Sequence, residues 1–264
     1  MNKHPNAPQG DSEEYLSKKR FYEQILTVYG RKPVLEALQE KGVKVHRLHL
    51  ADSNKSAGII DDIIALAKNK GAEVLYHDRK ALSRISKNSK QDQGVAVDLV
   101  CQGYVNYQDF LTNIPRTHFE LLALDGITNP QNLGMIIRSA CAGGVDGILL
   151  PSKGSAKIDP LVIKASAGTL FRARILRCEN LAQALKDFQD AGAKVCGLSS
   201  HVETRLQQLP DNQARIYVLG NETEGVSKQV SELCDEMVSI PMNNGVESLN
   251  VAVTASLIAF KSML

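Results

Sequence analysis

No apolar run in the 264 residues approaches the ~18 needed to span a bilayer, so a membrane-spanning protein is not expected. The first residues, Met1 to about Ser17, lack an apolar core and carry Asp11, Glu13 and Glu14. That excludes the pattern of a secretory leader and of an acid-poor transit peptide, and a cytoplasmic location is expected. No C-x-x-C pair occurs, and the five cysteines (Cys101, Cys141, Cys178, Cys196 and Cys234) are scattered and odd in number. Reduced, mostly buried thiols follow, with neither disulfides nor a structural zinc. The histidines, among them His46, His49, His77, His118 and His201, show no metal-ligand spacing, so no metal is expected. No strand leads into G-x-G-x-x-G; Gly143-Gly144-Val145-Asp146-Gly147 follows a helix, the wrong context for a dinucleotide-binding dehydrogenase. Internal repeats and low-complexity tracts are also missing.

Charge is nearly balanced at +2, but unevenly spread: residues 1–118 hold 18 Lys/Arg against 14 Asp/Glu, and residues 119–264 hold 13 against 15. The densest basic stretch is Arg79, Lys80, Arg84, Lys87 and Lys90. It is either a nucleic-acid contact or a solvated face, and charge alone does not choose. A second basic group, Lys153, Lys157, Lys164, Arg172, Arg174 and Arg177, lies further on. Arg172 and Arg174 flank Ala173 at an expected strand start, which would aim both at one face for phosphate contact.

The pattern of elements divides the chain. A polar tail covers 1–19, expected to be disordered. A compact α/β unit covers 20–103, with strands near Val45–Leu50, Val74–Tyr76 and Gly94–Leu99 and helices near Pro33–Leu38, Ile59–Lys70 and Arg79–Ile85. Residues 104–118 lack clear periodicity and are expected to be a linker. From 119 to 264 strands and helices alternate strictly, beginning with the wholly apolar Phe119–Leu124, the signature of a parallel sheet covered on both faces. Helices are expected over Leu133–Gly143, Pro160–Leu170, Leu181–Ala191, Val226–Cys234 and Val251–Leu264.

Three loops in that second unit follow apolar strands and carry polar side chains and glycines: Asp125 to Gly134, Gly220 to Gly225, and Pro241 to Asn250. In an open parallel sheet such loops gather at the carboxyl edge and form one crevice, which points to an enzyme. Each has a plainer explanation. Asn132 fits an ordinary N-cap, with Arg138 a surface residue six positions on; Glu222 fits a cap of the next helix; Ser248 and Asn250 fit a double cap. Gly134 would let a ligand or another backbone approach closely.

Taken together, the loops resemble the three motifs of the SpoU (TrmH-type) RNA ribose methyltransferases of the SPOUT superfamily. The resemblance rests on Asn132-Leu133-Gly134 with Arg138, on Leu219-Gly220-Asn221-Glu222 with Gly225, and on Ile240-Pro241-Met242 with Ser248-Leu249-Asn250. It is strong over 119–264. It extends more weakly over 20–103, where Tyr29-Gly30 and Gln93-Gly94-Val95-Ala96 are similar to the family's RNA substrate-binding domain. The resemblance implies a parallel-sheet SPOUT domain with a deep trefoil knot, preceded by a small α/β RNA-binding domain, pairing as a homodimer through the knot. It further implies that Leu219, Gly220, Asn221, Ile240, Met242, Ser248 and Leu249 bind S-adenosylmethionine, and that Asn132, Arg138, Glu222, Ser248 and Asn250 surround the reacting centre. The implied reaction is methylation of a ribose 2′-hydroxyl in structured RNA, ribosomal RNA by preference, with Arg79, Lys80, Arg84, Lys87, Lys90, Arg172 and Arg174 as RNA contacts. Alternatives are a transfer RNA substrate, or a non-catalytic RNA-binding protein that kept the fold.

Overall fold

The computed structural model describes residues 12–54, 58–114, 118–199, 202–210 and 213–263. Of the expected tail, residues 1–11 lie outside the described residues. The rest belongs to a helix, α1 (Glu13–Glu23), that starts on Ser12, whose hydroxyl accepts from the Tyr15 N–H, and carries Glu13 and Glu14 in its first turn. Acidic side chains there complement the helix dipole.

The front unit continues with β1 (Ile25–Tyr29), α2 (Arg31–Gln39), β2 (Lys44–Ala51), α3 (Ile59–Asn69), β3 (Glu73–His77), α4 (Arg79–Ser86) and β4 (Val95–Val100). The four strands form one sheet in the order β1-β4-β2-β3. Helices α2 and α3 bury Val34, Ala37, Leu38, Ile60 and Ile63 against one face through Val28, Leu48, Leu50, Val95, Val97 and Leu99. Helix α4 covers part of the other face, with Leu82 over Ala51 and Ala96.

A chain of polar side chains, one from each strand, crosses that second face. Thr27 Oγ1 donates to Asp98 Oδ1 at 2.6 Å, Asp98 Oδ2 faces His49 Nε2 at 3.1 Å, and His49 Nδ1 faces His77 Nε2 at 3.0 Å. His49 is buried and has a carboxylate on Nε2, so its Nε2–H donates and its Nδ1 accepts from His77. Burial, with His49 beside it, holds the His77 pKa below its ordinary 6.5. Burial alone would raise Asp98, but the hydrogen bonds from His49 and Thr27 outweigh it and hold the carboxyl below 3.8.

The second unit follows as β5 (Tyr104–Asn106), α5 (Tyr107–Thr112), β6 (Glu120–Leu124), α6 (Pro130–Ala142), β7 (Gly147–Pro151), α7 (Pro160–Ala165), β8 (Ile175–Cys178), α8 (Leu181–Asp190), β9 (Lys194–Leu198), β10 (Arg215–Leu219), α9 (Lys228–Ser231), β11 (Glu236–Val238) and α10 (Val251–Ala259). Seven strands form one sheet in the order β11-β9-β10-β6-β7-β8-β5, parallel throughout. Alternate residues of each strand feed two cores, as the wholly apolar strands require. Leu122, Leu124, Tyr217 and Leu219 meet α6, α7 and α10 on one side. Leu121, Ala123, Ile216 and Val218 meet α5, α8 and α9 on the other.

Several expectations change. Residues 104–112 belong to the second unit rather than to a linker: β5 adds to β8, and Tyr107 and Phe110 of α5 pack with Phe119 and Phe188. A three-residue strand joined directly to a six-residue helix is too short to show either period. The helix expected to Leu170 stops at Ala165, because Ala167 and Gly168 take left-handed backbone and a 3-10 turn, Thr169–Phe171, follows. Arg172 and Arg174 therefore precede β8 and do not share a strand face. The Arg174 guanidinium stacks 5.6 Å from the Phe110 ring, whereas Arg172 lines a groove between α2 and α7. The core containing α2 and α3 runs on into that of α6 and α7, so the two units share packing. The last two helices, α9 and α10, are also shorter than the sequence pattern implied.

Because folding lowers the His77 pKa, the unfolded chain takes up that proton first as pH falls through 6.5. The His77 contribution is complete above 6.5 and lost below it, and that of Asp98 is lost only below 3.8. Chemical denaturation at pH 7 and pH 5 is expected to show lower stability at pH 5, with a smaller fall in His77→Gln; an equal fall in both proteins would contradict this.

Candidate active site

Strands β6, β9, β10 and β11 are parallel, so Leu124, Leu198, Leu219 and Val238 end on one edge of the sheet. From β6 the chain builds outward to β7 and β8. It then crosses back, places β9 and β10 on the other side of β6, and ends the sheet with β11. Between β6 and β10 the strand order reverses, and such a switch point leaves a crevice beyond the strand ends.

A cavity of about 500 Å³ opens on the β10 side of this point, beyond the ends of β9, β10 and β11, within the ~300–1,000 Å³ typical of small-molecule sites. Leu219, Gly220, Asn221, Ile240, Met242, Ser248 and Leu249 all line it, together with Glu222. Leu198, Ser199, Val226, Met237 and Thr254 line it too and were not singled out from the sequence. Leu198 and Ser199 carry one available signal, since they end a buried strand as Leu219 does.

Three loops meet through side-chain amides. Asn129 caps α6, its Oδ1 accepting from the N–H groups of Gln131 and Asn132. That leaves Asn132 inside the first turn, 6% exposed, with its side chain free to reach outward from the helix. Its Nδ2 donates to Glu222 Oε1 in a short hydrogen bond, and its Oδ1 accepts from Asn250 Nδ2 at 3.1 Å. Asn250 also caps α10, its Oδ1 accepting from Ala252 N–H at 2.9 Å. Thus Asn132 is not the N-cap, Glu222 binds another loop rather than capping a helix, and Asn250 caps and bridges at once.

The middle loop is held from within. Asn221 pairs with Gly225 through both backbone bonds, at 3.1 and 3.0 Å, and its Oδ1 accepts from Thr223 and Glu224 N–H. A Cβ on Gly220 would stand 2.0 Å from the Gly225 carbonyl carbon, so only glycine permits this tight return. Asp125, at the end of β6, accepts from Ser227 N–H at 2.7 Å and fixes the loop's far end. Gly134 serves helix packing rather than a ligand: a Cβ there would meet Ala165 Cβ at 2.4 Å.

Ser248 lines the cavity from an exposed position, outside the amide chain. Arg138 does not line it. It lies about 240° round α6 from Asn132 and is exposed, on a strip that includes Met135. Arg79, Lys80, Arg84, Lys87 and Lys90 are exposed on and after α4 of the front unit. Burial pushes the Cys101 and Cys178 thiols up to about 12, so they are poor nucleophiles.

A parallel α/β sheet with a small-molecule cavity beyond the ends of three strands, and three polar loops joined beside it, is the architecture of a SPOUT-type transferase. The family model of the SpoU rRNA methylase family matches residues 120–260, and that described as RNA 2′-O ribose methyltransferase substrate binding matches residues 27–100. The chain belongs to the SpoU family and is an RNA methyltransferase. It is 34% identical over 256 residues to an uncharacterized tRNA/rRNA methyltransferase of Mycobacterium ulcerans, covering 97% of this chain and 82% of that protein. Among solved structures it is similar to the SpoU methyltransferase AviRb from Streptomyces viridochromogenes in complex with the cofactor AdoMet, at 26% identity and TM-score 0.61, covering 92% of this chain and 90% of that one. The fold also matches an AdoMet-bound rRNA methyltransferase from Sinorhizobium meliloti at 24% identity and TM-score 0.62, covering 93% and 89%.

Proposed function

We propose that the protein transfers a methyl group from S-adenosylmethionine to a ribose 2′-hydroxyl in structured RNA, ribosomal RNA by preference. The observation that carries this is the hydrogen-bonded chain Glu222–Asn132–Asn250, which ties the first motif loop to the two that line the cavity. The cavity suits the cofactor: Leu198, Leu219, Ile240, Met242 and Leu249 offer apolar walls for an adenine, and the loop backbones offer polar groups for its edges. The cofactor supplies an electrophilic methyl when bound. The protein must then align the hydroxyl and help it lose its proton, and positioning alone is worth ~7 kcal/mol or more in favourable systems.

Arg138 stabilises the developing charge on the 2′-oxygen and holds the adjacent phosphate, leaving phosphate or water to take the proton. A guanidinium is a poor base at neutral pH but a good paired donor. The Arg138 strip adjoins α10 through the 2.7 Å contact of the Ser139 and Ser256 hydroxyls. Met135 there, and Val253 and Leu257 on α10, are exposed apolar side chains. Two copies pairing across this strip, in the knotted arrangement the family resemblance implies, would bury them and enclose Arg138.

The front unit recruits the RNA. At one end three loops are knit together: Arg31 N–H donates to Gln93 Oε1, the Arg31 guanidinium to Asn54 Oδ1, and Asn54 Nδ2 to the Gly94 carbonyl. Exposed Arg31, Lys32, Lys87 and Lys90 give this end a positive charge suited to phosphates.

Single-turnover reactions with ribosomal and transfer RNA, digested to nucleosides, are expected to yield a 2′-O-methylated nucleoside; a base-methylated product would contradict the assignment. Arg138→Ala is expected to slow transfer by at least ~100-fold with cofactor binding retained, and Arg138→Lys to rescue only partly. Leu257→Glu is expected to shift the mass seen by light scattering to that of a monomer, and an unchanged mass would exclude the proposed face. Lys87→Ala with Lys90→Ala should weaken RNA binding and lower its salt dependence by about one to two counterions, and an unchanged slope would leave these lysines a solvated face.

A further inference from the structure

The residues lining the cofactor cavity include three carboxylates, Glu222, Glu224 and Glu247, and no lysine, arginine or histidine. Glu222 is engaged by Asn132. Among the described residues, Glu224 and Glu247 have no side-chain hydrogen bond or ion pair, and both are exposed at the rim. Glu247 also borders a second cavity behind the same loop, with Glu203 and Arg205. Two unpaired carboxylates facing a cavity that takes a small molecule raise its negative potential. The cavity is a site on independent grounds, its place beyond the carboxyl ends of β9, β10 and β11 and its family, so the acids bear on which ligand it prefers.

We infer that Glu224 and Glu247 are specificity-determining residues that read the ligand's net charge, favouring the cationic methyl donor over its neutral product. This rests on the proposed cofactor site. S-adenosylmethionine carries a sulfonium, an ammonium and a carboxylate, a net charge of one positive unit. Transfer breaks the bond between sulfur and methyl and forms one between oxygen and methyl, the hydroxyl proton leaves, and the sulfonium becomes a neutral thioether. The product therefore has no net charge, and the attraction of the rim is withdrawn as the reaction completes. Turnover thereby weakens its own product complex.

Calorimetry with three ligands tests this: S-adenosylmethionine, S-adenosylhomocysteine, and sinefungin, which keeps the positive charge without a transferable methyl. At low salt the two cationic ligands should bind the unmodified protein about fivefold or more tightly than S-adenosylhomocysteine, the scale of two partly exposed charge contacts. In the double variant Glu224→Gln with Glu247→Gln the gap should close to about twofold, with S-adenosylhomocysteine affinity held and the salt dependence of the gap removed. Sinefungin grouping with the neutral ligand would overturn the inference, because shape would then be what is read. So would an unchanged gap in the double variant, or an equal loss of all three ligands there. If the unmodified protein binds none of the three, the cofactor site itself is misassigned and both conclusions fall.

Discussion

Asn132 is the residue on which the loop-bearing edge of the second sheet depends. Its amide gives one hydrogen to Glu222 and takes one from Asn250, so a single planar group joins loops that leave β6, β10 and the segment after β11. Loops at strand ends are otherwise the most mobile parts of such folds. Asn132 is almost wholly buried, so its amide left without partners would cost about 1–3 kcal/mol, whereas the exposed Glu222 and Asn250 would turn to water. The arrangement turns three independently variable segments into one rim.

That rim is possible because of constraints beneath it. Asn129 takes over the capping of α6, which frees the Asn132 side chain. Gly134 lets α7 close on α6, and so sets where the first turn of α6 lies relative to the sheet. Gly220 and Asn221 give the middle loop its tight return, and Asp125 ties the loop's far end to β6. The sheet supplies the rest: seven parallel strands with apolar residues on both faces leave polar chemistry to the strand ends, and the three loops all leave from the carboxyl ends.

Much of this was legible in the chain. Alternating apolar strands and amphipathic helices from Phe119 onward disclosed the parallel sheet, and Asn, Glu and Gly after three strands disclosed the two loops that line the cavity and the one tied to them. Other features carry no local signal. Residues 104–112 pass from strand to helix too quickly to show a period, and Arg172 and Arg174 sit after a left-handed turn that no side-chain pattern marks. The role of Asn132 depends on partners 90 and 118 residues away, so sequence spacing suggested a cap and only the tertiary fold revealed a bridge. The polar chain from Thr27 to His77 was hidden for the same reason: each strand contributes one ordinary polar residue, Thr27 lies opposite Asp98 in register, and His49 reaches Asp98 and His77 diagonally across the strands.

A double-mutant cycle on Asn132 and Asn250, read in single-turnover methyl transfer, tests most directly whether the loops act as one unit. If the bridge between them sets the geometry of the rim, removing either side chain should cost nearly as much as removing both, with a coupling of about 1–3 kcal/mol. Losses that simply add would contradict the account, and would mean that each loop reaches its working position without the other.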